Sequence, residues 1–131
     1  MTILVAYVPR PEGQAALDKG IEVATRRNER LVVVNASPGG SKEDPSLADV
    51  QDYERVQQIL NDCGIDTELK QYVRGKNAVE EIEALVESLG ASLLIIGLRK
   101  RSPVGKLIMG SVAQELLLSV SCPVLAVKAA S

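Results

Sequence analysis

The sequence has no histidine, and this absence removes several classes of catalytic site. Histidine is the commonest general base, and it completes Ser-His-Asp triads and most catalytic zinc sites. The two cysteines, Cys63 and Cys122, are far apart and fit no metal-ligand spacing. We therefore assign no catalytic residue and no metal ligand. We expect both thiols to be free, as in a reducing compartment, although spacing alone leaves a disulfide open.

Aromatic residues are also scarce, and positive charge is not in excess. The chain has no Trp or Phe, only three Tyr, and a formal net charge of −2 with a pI near 5.2. Stacking platforms for single-stranded nucleic acid and a broad basic face for duplexes are therefore not expected. No apolar run approaches the ~20 residues that span a bilayer, and no cationic segment precedes the first apolar run. We expect a cytoplasmic protein without nucleic-acid or membrane partners.

The chain does contain a regular alternation of strand and helix patterns. Short apolar or alternating segments end near proline, glycine or charged residues, and amphipathic segments of helical period lie between them. Such alternation is typical of a parallel, doubly wound α/β sheet with helices on both faces. We predict a single domain over residues 1–131 and a five-stranded sheet of order 3-2-1-4-5. Its strands are expected at residues 3–8, 31–34, 65–73, 93–96 and 123–127.

A basic segment follows the fourth predicted strand. Residues 97–111 read GLRKRSPVGKLIMGS and carry four cations, which is unusual in a mildly acidic chain. We expect a long loop that Gly97 allows to leave the strand sharply. In doubly wound sheets ligands bind where the strand order reverses, here between strands 1 and 4. Ser111 is predicted to cap the fourth helix, whose N-terminus would attract an anion. A solvated basic loop with an ordinary cap is the alternative.

Several nucleotide-binding motifs are excluded. Lys106 is followed by Leu107 instead of Ser or Thr, so the segment is not a Walker A loop. No G-x-G-x-x-G follows the first strand, which removes support for a dinucleotide fold. Val8 and Pro9 occupy the strand end at which a response-regulator receiver carries acidic residues.

The segment nevertheless resembles the nucleotide motif of universal stress proteins, G-x2-G-x9-G-[S/T]. Gly97, Lys100, Gly110 and Ser111 fall in its frame, and three of the four positions match. The closing SCPVLAVK is similar to the last strand of that family. The resemblance covers essentially the whole chain and implies an adenine-nucleotide alpha-hydrolase-like fold. It also implies a stress-response regulatory protein that binds ATP, with or without Mg²⁺, or a related adenine nucleotide or anion.

The same resemblance implies which residues contact the nucleotide. Adenine would lie near the end of strand 1 and Ala36, with ribose and phosphates along the motif. The implied binding residues are Val8, Pro9, Ala36, Ile96, Gly97, Arg99, Lys100, Arg101, Gly110, Ser111 and Val112. Two positions depart from the family pattern, Val8 in place of Asp and Lys100 in place of Gly. The site would thus bind ATP in an altered way, bind another anion, or be empty.

The last strand is apolar and carries no inward charge to protect an exposed sheet edge. Antiparallel pairing with a second copy would cover it. We therefore expect a homodimer, as the family resemblance also implies, through Val124, Leu125, Ala126 and Val127. Two other functions remain open, a slow Mg²⁺-dependent ATPase and a ligand-free dimeric interaction protein.

Overall fold

The computed structural model describes residues 1–36, 49–72, 78–101, 106–108 and 110–129, with the backbone alone at residues 100, 101, 106–108 and 111. Strands and helices alternate along the chain. The elements are β1 (Thr2–Ala6), α1 (Pro11–Arg27), β2 (Arg30–Ala36), α2 (Val50–Asp62), β3 (Thr67–Tyr72), α3 (Ala78–Leu89), β4 (Ala91–Arg101), β5 (Lys106–Ile108), α4 (Ser111–Ser119) and β6 (Val124–Lys128).

Five of the strands form a parallel sheet in the order β3-β2-β1-β4-β6. This arrangement confirms the predicted order 3-2-1-4-5, with β6 as the fifth parallel strand. In the centre, Leu4 of β1 lies opposite Val32 of β2 and Leu94 of β4. Because β1 is paired on both sides and covered on both faces, its residues 3–6 form a continuous apolar run.

Helices cover both faces of this sheet, as predicted. Ile3, Val5 and the Tyr7 ring face α1 and α2 and belong to one buried cluster. Leu4 faces the opposite way, into a second cluster with α3 and Leu116 of α4. This separation follows from the two-residue period of a strand, which sends successive side chains to opposite faces. No described helix is long and apolar enough to cross a membrane.

The segment after the fourth predicted strand differs from the long loop that the sequence suggests. β4 continues through Arg101 and pairs in antiparallel fashion with β5, so that Arg99 lies opposite Ile108. Lys100 and Arg101 pair with Leu107 and Lys106. This pairing gives backbone groups of residues 99–101 partners on β5. Without it they would need water or a ligand as partners.

The first turn of α1 lies in close contact with the ends of β1 and β4, and two glycines make this possible. A Cβ on Gly13 would lie 1.7 Å from the carbonyl oxygen of Val8. One on Gly97 would lie 2.1 Å from the carbonyl oxygen of Glu12. The expectation that Gly97 turns the chain out of its strand is therefore wrong. Gly97 lies within β4 and provides room for the backbone of α1.

Candidate functional site

A cavity of about 270 Å³ opens at the carboxyl ends of β1, β2 and β4. It lies between strands 1 and 4, at the point where the strand order reverses. Side chains from the sheet and from the inner faces of α3 and α4 form its apolar wall. These are Ala6, Val8, Val34, Ala36, Ile82, Ile96, Val112, Ala113 and Leu116. The wall suits an apolar or aromatic group, which small-molecule sites commonly hold beside a few polar contacts.

The N-terminus of α4 forms another side of the cavity. Gly110 is the N-cap, with extended φ and ψ of −63° and 158°, and no side chain of the described residues caps this helix end. A Cβ on Gly110 would meet no heavy atom within 4 Å among the described residues, so the space beside it is open. The first N–H groups of a helix have no intrahelical acceptor and lie at the positive end of its dipole. An anion in the cavity would therefore find donors here.

The predicted position of Ser111 is wrong by one residue. Ser111 is the first residue of α4, and Gly110 occupies the cap that the sequence assigned to the serine. Glycine is one of the residues preferred at an N-cap, where the backbone is extended. The Ser111 side chain lies outside the described part of the structure, so its contact with a phosphate stays a prediction.

Two arginines and one glutamate contribute the charged side chains of the described cavity lining. Glu12 Oε2 lies 3.1 Å from Arg10 Nε and 3.4 Å from Arg99 Nε. The Glu12 side chain is only 8% exposed, whereas those of Arg10 and Arg99 are 31% and 46% exposed. A carboxylate buried to this degree is tolerated because both guanidinium groups compensate its charge.

Sequence reasoning missed Glu12 as a site residue. The available signal was its position in the first turn of the helix that begins at Pro11, directly after the carboxyl end of strand 1. A carboxylate there is favoured by the helix dipole, which explains its residue type without a ligand. Only the contact with Arg99, which comes from the other wall of the crevice, shows that it belongs to the cavity.

Most of the sequence-predicted binding residues meet in this cavity. Those that line it are Val8, Ala36, Ile96, Gly97, Arg99, Gly110 and Val112. Pro9 does not line it; it lies within a tight turn in which the Arg10 N–H donates to the Val8 carbonyl at 2.8 Å. Lys100 and Arg101 continue β4, and their side chains lie outside the described part of the structure. Their contact with a ligand stays a prediction.

Tyr7 supports the cavity from the opposite face of the sheet. Its hydroxyl donates to Asp52 Oδ2 at 2.6 Å and accepts from Arg55 Nη2 at 3.0 Å, both on α2. Its carbonyl oxygen accepts from Asn35 Nδ2 at 3.0 Å, and Gln71 Nε2 donates to Asn35 Oδ1 at 3.0 Å. Burial, and then the hydrogen bond to Asp52, raise the pKa of the phenol far above its usual value. The network joins the ends of β1, β2 and β3 to α2 and keeps the phenol protonated.

Comparison with known proteins identifies the family. The model of the universal stress protein family matches residues 1–128. The chain belongs to the universal stress protein family. A curated universal stress protein from Mycolicibacterium smegmatis is 46% identical over 126 residues, which cover 96% of each chain.

Solved universal stress proteins share the fold. One from Archaeoglobus fulgidus is 29% identical, with a TM-score of 0.77 and 97% of each chain covered. Another from the same organism, solved in complex with dAMP, is 22% identical with a TM-score of 0.71. The alignment covers 97% of this chain and 96% of that one. At this identity the second likeness shows the fold alone.

A metal ion that is held by side chains alone needs several of them close together, and this applies to a universal stress protein as to any other. Among the residues that the structure describes, no three histidine, cysteine or acidic side chains are grouped so as to hold a metal ion. Mg²⁺ usually keeps several waters and binds through one or two carboxylates and the phosphates of a nucleotide.

Proposed function

We propose that this protein is a cytoplasmic stress-response regulator that binds ATP or a related adenine nucleotide in the cavity between β1 and β4. One observation carries the proposal: an apolar wall and the open N-terminus of α4 face the same cavity. An adenine nucleotide has the matching parts, a flat base with little charge and an anionic phosphate end. The two free thiols, Cys63 and Cys122, fit the reducing conditions of the cytoplasm.

The two ends of the nucleotide would contact different elements. The base would pack against the apolar side chains near Val8 and Ala36, at the ends of β1 and β2. The phosphates would accept hydrogen bonds from the N–H groups after Gly110 and ionic contacts from Arg99. The likeness to the archaeal dAMP-bound fold supports an adenine nucleotide over other anions.

Regulation fits the cavity better than catalysis. A hydrolase needs a group that orients or activates water next to the phosphates. Glu12 is the carboxylate of the described lining, and both arginine contacts engage the same oxygen, Oε2. That oxygen already faces two guanidinium groups, so it is not free to orient a water molecule for attack on a phosphate. We propose that nucleotide occupancy, and not turnover, carries the function.

Substitution of Gly110 by valine tests the binding proposal. The new side chain would fill the open space beside the N-terminus of α4, where a Cβ would have no heavy atom of the described residues within 4 Å. We expect calorimetry on nucleotide-stripped protein to show ATP and AMP binding to the wild type and none to Gly110→Val. Thermal unfolding of both proteins checks that the fold survives. Undiminished affinity in a folded Gly110→Val protein would refute the proposed site.

We further propose a homodimer through β6. The strand pairs with β4 on one side and has no partner strand on the other among the described residues. Leu125 is 37% exposed on this strand, and Leu118 of the preceding helix is 82% exposed. A two-fold axis would pair two β6 strands in antiparallel fashion and cover Leu125.

A substitution on β6 tests the dimer. Leu125→Glu would place like charges near the axis, and gel filtration with small-angle scattering at micromolar concentration should report a monomer. Glu54→Gln on α2 is a control of similar size on an exposed surface. A monomeric wild type, or a dimer that Leu125→Glu leaves intact, would contradict this interface.

A further inference from the structure

Glu12 gives the cavity a negative charge that a site for highly charged anions would not need. It lies against both arginines of the described lining, and its carboxylate is nearly buried. Buried charges are screened less by salt than exposed ones. The carboxylate therefore acts on any phosphate that enters the cavity, and it competes with that phosphate for Arg10 and Arg99.

The charges of the described cavity add up to a small positive value. Two guanidinium charges less one carboxylate leave +1, and the N-terminus of α4 adds about half a unit. A phosphomonoester carries about −1.5 to −2 at neutral pH. One phosphate group thus nearly neutralises the cavity. Each further phosphate adds negative charge that the described residues do not balance.

The size of the cavity agrees with the charge. Its volume of about 270 Å³ lies just below the ~300–1,000 Å³ that is usual for small-molecule sites. A base, a ribose and one phosphate would occupy most of this space. Additional phosphates would extend past the α4 terminus, beyond the groups that the described residues supply.

We infer that Glu12 is a specificity-determining residue that shifts the preference of the cavity away from triphosphates and toward adenine nucleotides with one phosphate. The inference rests on the proposed nucleotide site and names the ligand class within it. Glu12 acts through charge: it reduces the positive potential of Arg10 and Arg99, and this reduction costs a triphosphate more than a monophosphate.

The decisive comparison is the ratio of AMP to ATP affinity in wild type and Glu12→Gln, measured by calorimetry without Mg²⁺. Removal of one negative charge about 10 Å from two to three additional phosphate charges should favour ATP about four- to eightfold, even at the dielectric constant of water. Glu12→Asp keeps the charge and should retain the wild-type ratio. Glu22→Gln, which makes the same charge change on the exposed part of α1, should also leave it unchanged.

A second variant keeps the inference testable if Glu12→Gln is poorly folded. Arg10→Gln removes a positive charge from the same cluster and should weaken ATP binding more than AMP binding. An unchanged ratio in folded Glu12→Gln or Arg10→Gln, with both nucleotides bound, would overturn the role of Glu12 and leave the nucleotide site standing. Binding of neither nucleotide to any of these proteins would overturn both proposals.

Discussion

Replacement of Gly97 by alanine should disturb the junction of α1 and β4. The new Cβ would lie 2.1 Å from the carbonyl oxygen and 2.6 Å from the carbonyl carbon of Glu12. Ordinary contacts begin at 3.4 Å, so one of the two backbones must move by about 1.3 Å. Neither is free to do so, because β4 is paired on both sides and Gly13 of α1 lies against Val8.

The expected cost is large for the addition of one methyl group. Overpacking in well-packed regions costs about 1–3 kcal/mol, and an obstacle made of backbone places Gly97→Ala near the upper end. Alanine also restricts the unfolded chain more than glycine does. This effect stabilises the folded protein by up to about 1 kcal/mol and offsets part of the cost. We expect a net loss of about 2–3 kcal/mol. In a domain of this length that corresponds to a fall in Tm of about 7–11 °C.

Differential scanning calorimetry of Gly97→Ala and Gly110→Ala gives the test. Gly110 is the matched control, because its Cβ would meet no heavy atom of the described residues within 4 Å and its φ is −63°. The control should lose less than about 1 kcal/mol, the difference between glycine and alanine at an N-cap. If Gly97→Ala melts within about 2 °C of wild type, the close contact between β4 and α1 is refuted.

Three further changes test other contacts. Tyr7→Phe should cost about 1–2 kcal/mol in urea unfolding, because Asp52 loses a buried partner. Since only the unfolded phenol ionises near pH 10, wild-type stability should fall above about that pH, and Tyr7→Phe should lack this fall. Asp49→Ala should cost about 1 kcal/mol in thermal unfolding by removing the 2.8 Å cap to the Asp52 N–H. In Cys63→Ser, the Cys122 thiol should alkylate more slowly than free cysteine at pH 8, because burial raises its pKa; an equal rate would contradict this.

The sequence predicted the structure best where burial alone determined the residue type. Residues 3–6 of β1 and 31–34 of β2 are apolar without interruption because both faces of these strands are buried. Such runs, separated by amphipathic helices, predict a parallel sheet, and the sheet order then places the crevice beside Val8 and Gly97. The fold class and the position of the cavity follow from this local pattern.

Features that depend on distant contacts were not predictable. β5 is three residues long, and its residues read as an ordinary loop until β4 pairs with them. The role of Gly97 depends on the Glu12 backbone, which approaches it only in the folded protein. The charge of the cavity depends on the contact between Glu12 and Arg99, and no periodicity records such a pair.

The backbone and the side chain of Glu12 contact different parts of the molecule. Its carbonyl oxygen is enclosed under Gly97, whereas its carboxylate lies in the cavity beside two arginines. A substitution of Glu12 would therefore change the charge of the cavity without requiring the backbone at residue 12 to move. Related proteins would thus differ in ligand preference through one codon change at this position, with the same backbone conformation.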